Sequence, residues 1–200
     1  MGSEYDPVVP EAPPGVADDD LERVQAHFRA ASRPYLASPW SWLAWALVLP
    51  GAALATPPLF ARFGAAGVLF LWSAAILVGG AIEVGGIFGR GARGSTPLAS
   101  WALRVQGNLS LVAVALSLLL LVRDLAWVLP GLWLLLLGHS LYLMGGLAFA
   151  PLRTCGVIYQ LGGLAALWPR LGPLAVFALT TAIGNLYLAA AVWRDRRAAA

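Results

Sequence analysis

The chain has 200 residues, 60% of them hydrophobic and 12% charged, with a mean hydropathy of +0.75. A soluble domain of this length has no core that could hide so much apolar surface, so a bilayer is the expected solvent. The net charge of +3 and pI near 9.5 do not point to nucleic acid, because the basic residues, all arginine, stand singly between apolar runs and form no stripe.

From the N-terminus, residues 1–17 combine acids with Pro7, Pro10, Pro13 and Pro14, a composition that predicts a disordered tail. No basic segment leads into an apolar one here, so a cleaved signal peptide is not expected, and Asp6 stands where a myristoylation motif wants Ser or Thr. Residues 18–34 read as an amphipathic interfacial helix: Asp19 and Glu22 have capping-box spacing, and Leu21, Val24, Phe28 and Ala31 share one face. Arg23, Arg29 and Arg33 of that helix, and Arg90 and Arg93 further on, are expected to meet lipid headgroups.

A bilayer core about 30 Å thick takes about 20 helical residues to cross. Six apolar runs approach that length, at 39–57, 64–88, 98–122, 125–149, 152–168 and 171–193, within a transmembrane domain of 38–193 followed by a basic tail, 194–200. Pro57-Pro58, Pro97, Pro151 and Pro169 punctuate the runs, and Pro50 predicts a kink in the first. The expected fold is all-α, a polytopic helix bundle of six spans arranged as three hairpins. The fifth run, the shortest, spans only if Arg153 snorkels and Trp168 anchors the far end. With an internal N-terminus, Arg23, Arg29, Arg33, Arg90, Arg93, Arg104, Arg153, Arg194, Arg196 and Arg197 fall inside, against Arg62, Arg123 and Arg170 outside, which predicts a cell-membrane protein with both termini cytoplasmic. Trp40, Trp42, Trp101 and Trp193 then mark the inner interface, and Trp127 and Trp168 the outer.

Motifs for chemistry are sparse. Gly89-Arg90-Gly91-Ala92-Arg93-Gly94 has dinucleotide-loop spacing but leaves a membrane run rather than a strand, and Asn108-Leu109-Ser110 is a sequon inside the third run. Hydrolase, metalloprotease and nucleotide-loop patterns are missing, and Cys155, the one cysteine, reads as a buried structural thiol. Catalysis, a metal and a cofactor are therefore not expected. Gly79-Gly80 and Gly85-Gly86 in the second run predict close helix packing, within the bundle or against another membrane protein or a second copy. Leu141-Tyr142-Leu143 and Leu186-Tyr187-Leu188, each following Gly and a polar residue, hint at an internal repeat.

Polar residues inside the runs are the candidate site, since each must find a partner or cost free energy. At about 1.5 Å per residue, Glu83 and Arg104 lie at matched depth and are expected to pair. Asn108, His139, Gln160 and Asn185 complete one layer in the cytoplasmic half. The layer is either a hydrogen-bond network that fixes helix register or a hydrated vestibule. The first goes with an accessory, regulatory or sensor-type subunit acting at its cytoplasmic face. The second goes with a small, proton-coupled permease. The arginine bias is testable with reporter fusions: Asp18 and the position after Arg197 should report cytoplasm, and Pro58, Asp124 and Arg170 the outside. A C-terminus reporting outside would remove the fifth span.

Overall fold

The computed structural model describes residues 38–88, 97–147 and 149–198, together with Arg23, which is exposed. The expected tail of 1–17, the rest of the interfacial helix, including Arg29 and Arg33, and the loop with Arg90 and Arg93 lie outside the described residues. These are helical, with no strand among them. Three stretches, Pro39–Ile82, Ala126–Gly146 and Pro173–Ala198, are long and apolar enough to cross a membrane.

Five helices carry the chain: α1 (Pro39–Phe88), α2 (Pro97–Val122), α3 (Leu129–Leu147), α4 (Ala150–Ala166) and α5 (Pro173–Ala198). One-turn 3₁₀ segments at Ala126–Val128 and Pro169–Leu171 precede α3 and α5. Proline marks several starts as its sequence positions predict, with Pro151 in the first turn of α4 and Pro97 and Pro173 opening α2 and α5. Pro50, Pro57 and Pro58 behave differently, lying inside α1, whose one non-helical residue is Gly64 at φ 63° and ψ −155°. An interior proline removes a donor and crowds the carbonyl four residues earlier, which bends a helix without ending it, whereas this φ/ψ combination is essentially closed to any residue with a Cβ.

Contacts show what Gly64 does. The Trp72 indole Nε1 donates to Thr56 Oγ1 at 3.0 Å, and the Trp45 ring lies on Gly79, pairings that a continuous helix would hold tens of ångströms apart. The two arms of α1 thus lie side by side and antiparallel. The α2–α3 pair is tied the same way, with Trp133 Nε1 donating to Ser117 Oγ at 3.1 Å. In both, the hydroxyl donates to the carbonyl four residues earlier, Ala52 at 2.8 Å and Ala113 at 2.7 Å, which frees its lone pairs for the indole.

Helix α5 is central, packing on α1 and α4, while α4 also packs on α3. The α3–α4 contact is made by glycine. Gly131, Gly138 and Gly145 recur at seven-residue intervals on α3; the first two face Gly163 and Gly156, equally spaced on α4, and Gly145 lies against Arg153. A Cβ on Gly156 would stand 2.6 Å from the Gly138 carbonyl and 2.6 Å from the Tyr142 amide, so the two backbones touch. Ala53, Leu134, Leu152, Cys155, Tyr159, Phe177 and Leu188 fill the adjoining core.

The start of α1 and the end of α5 share one end of the bundle, where Trp40 and Trp193 stand 6.0 Å apart. Gly131 lies against Leu167, so the start of α3 and the end of α4 share the other. Replacing Gly156 by Ala should destabilise the bundle by about 1–3 kcal/mol, because neither backbone can yield without opening the seam. The change should read as a lower unfolding midpoint in detergent micelles, whereas Gly80→Ala, with open space around it, should leave the midpoint in place.

Candidate functional site

Glycine also sets the other face of α4. Gly162 faces Thr180, and Gly184 faces the Tyr159 ring and the Cys155 Sγ. With α3 against one side and α5 against the other, Cys155, Tyr159 and Asn185 are enclosed at 0%, 3% and 2% exposure. Asn185 borders the Tyr159 phenol, and its Nδ2 is buried with no hydrogen-bond partner among the described residues. Thr181, one turn earlier, satisfies its hydroxyl within its own helix, on the Phe177 carbonyl at 2.8 Å. The centre therefore holds an amide beside a phenol in an otherwise apolar shell, where an unmet polar group costs several kcal/mol.

The six residues read as one layer do not share one environment. Asn185 is buried, Gln160 is half-buried beside Gly138, and Arg104, Asn108 and His139 are exposed on the bundle's outer surface. The Glu83 side chain, and with it the expected Glu83–Arg104 pair, lies outside the described residues. The divergence of His139 and Asn185 is informative, because Gly138-His139 and Gly184-Asn185 match in sequence. Both glycines face α4 between Cys155 and Gln160, but from opposite sides, and the polar residue that follows turns outward on α3 and inward on α5.

Cys155 is fully enclosed, as a structural thiol would be. His139 is exposed on another helix and supplies it with no general base. No cluster of three or more His, Cys, Asp or Glu residues forms among the described residues. Gly79, expected at a close helix contact, meets Trp45 of its own chain, and Gly80 and Gly85 face open space.

Neither Tyr159 nor the heptad glycines of α3 and α4 stood among the sequence candidates. Sequence reasoning also missed the two indole–hydroxyl ties, although a hydroxyl residue 16 positions before each Trp was there to be found. Compared with protein-family models, curated proteins and solved structures, the chain finds no match. Enclosure at the α4–α5 contact predicts that Cys155 stays unmodified by both a water-soluble and a lipid-soluble maleimide in the folded protein. Full labelling should follow unfolding in dodecyl sulfate; rapid labelling before unfolding would mean that α4 and α5 part.

Proposed function

We propose that the chain is a six-span membrane protein of three hairpins that serves as an accessory or regulatory subunit, receiving a partner helix on α2. The arms of α1 supply the first hairpin, α2–α3 the second and α4–α5 the third. Support for the count comes from α1, whose 50 residues are more than twice one crossing and fold back at Gly64. Both termini are cytoplasmic on this reading. Support for that comes from charge: Arg104, Arg153, Arg194, Arg196 and Arg197 belong to the end where α5 finishes, and Arg62, Arg123 and Arg170 to the other.

The observation that carries the function is the outer face of α2. Its contacts are chiefly with α3 and the turn before it, and it exposes Leu111, Val112, Leu118 and Leu119. Lipid suits those residues, but not Asn108, exposed beside the open Gly107. Asn108 lies eleven residues into α2, roughly 16 Å along its axis and so near the middle of the bilayer. An amide there gains by meeting a polar group on another helix, and a neighbouring glycine lets that helix come close. A sensor-type subunit would use the same face. A small permease is the second reading, supported by the buried polar pair of Tyr159 and Asn185 at the core, with Glu83 and His139 as its proton groups.

A photo-crosslinking residue at Leu111 should give a discrete protein adduct in native membranes, and Asn108→Val should weaken it roughly 5- to 30-fold, the equivalent of about 1–2 kcal/mol. The same probe at Leu161, on the exposed side of α4, should capture lipid. No protein adduct at Leu111, together with a proton leak in reconstituted vesicles that Glu83→Gln abolishes, would favour the permease instead.

A further inference from the structure

Where α1 begins and α5 ends, the two helices leave an apolar groove between them. Leu43, Ala44 and Leu47 of α1 form one wall, Ala182 and Leu186 of α5 the other, and Trp40 stands at its mouth. Its volume of about 530 Å³ falls within the roughly 300–1,000 Å³ typical of small-molecule sites. Leu47 and Leu186 remain exposed along its rim.

The face continues upward in a regular way. Ala182, Leu186, Ala190, Trp193 and Arg197 follow one another at three- and four-residue steps, so a single stripe of α5 runs from apolar wall to indole to guanidinium. Trp193 meets Trp40 across the groove mouth with ring centroids 6.0 Å apart, and the Arg197 guanidinium carbon lies 5.8 Å from the centre of the Trp193 ring. Arg194 and Arg196, both exposed, add positive charge on the same turn. Apolar slot, indole pair and arginine thus come in the order of an acyl chain, an ester region and a phosphate.

We propose that this groove binds one anionic phospholipid, an acyl chain lying between α1 and α5 and the phosphate held by Arg197 with the indole N–H groups of Trp40 and Trp193. The site rests on the membrane reading of the chain but not on its topology or on the role of α2. Charge complementarity selects the headgroup: a zwitterionic lipid brings its own cation to a turn where three arginines outweigh the one acid, Asp195.

The full chain, purified in mild detergent and incubated with equal phosphatidylglycerol and phosphatidylcholine, should retain phosphatidylglycerol preferentially when weighed intact by native mass spectrometry. Arg197→Gln should lower that retention about fivefold, Arg197→Lys should restore most of it, and Arg170→Gln at the far end should change nothing. Ala182→Phe should displace both lipids, since it fills the slot and keeps the charge. Thermal transitions of each variant identify any that fail to fold, and the Arg197 variants, outside the core, keep the test open if Ala182→Phe does. Equal retention of the two lipids, or a preference untouched by Arg197→Gln, would overturn the site. Release of the chain from membranes by alkaline carbonate would instead overturn the membrane reading on which it rests.

Discussion

The bundle depends on the backbone contact between α3 and α4. In an apolar solvent, burying side chains brings little gain, because lipid tails are as apolar as leucine, and what remains is dispersion at very short range. Gly131 and Gly138 facing Gly163 and Gly156, with Gly145 against Arg153, exploit that range by leaving no side chain of α3 at these points to hold the helices apart. Once α4 is fixed there, its other face can receive α5 through Gly162 and Gly184, and α5 in turn carries α1. Only α2 stands outside this chain of contacts, held mainly by its tie to α3.

Polar groups then set the register. In two places an inward indole N–H finds its acceptor in a hydroxyl already bonded to its own helix, while the buried Trp42 Nε1 has no acceptor among the described residues. Ala52, Thr56 and Trp72 recur as Ala113, Ser117 and Trp133 at a constant offset, so the arms of α1 and the α2–α3 pair share one solution. The matching tripeptides 141–143 and 186–188 recur at a shorter offset. One simple tandem repeat does not produce both spacings. The recurrence of the tie therefore fits a shared packing rule at least as well as a shared origin.

Much of the fold was legible in the sequence because the determinants of helix position are local. Apolar run length and terminal prolines placed the helix ends of α2, α4 and α5 within a few residues, the exception being the basic end of α5. The first reversal was displaced from Pro57-Pro58 to Gly64, since a missing donor bends a helix and a left-handed residue ends it. The candidate site was less legible. Depth along a helix follows from counting residues, but the direction in which a side chain points depends on which neighbour the helix meets. Asn185 and His139 had nearly the same claim to a buried role, and only the placement of α4 between their helices separated them. Gly156 and Gly163 carry that information at heptad spacing, a sparser signal than the paired glycines of the second run.

Gly64 also bears on how the chain enters a membrane. On the proposed six-span topology a reversal accomplished at one residue leaves no loop to be carried across, and the segment around it holds Pro57, Pro58 and Arg62, whose guanidinium lies 5.2 Å from the centre of the Phe63 ring. The arms of α1 are tied through Thr56 and Trp72, which favours their insertion as one hairpin. On the proposed topology the two arms would enter together, and the transfer of the Arg62 guanidinium would be the chief electrostatic barrier to that step.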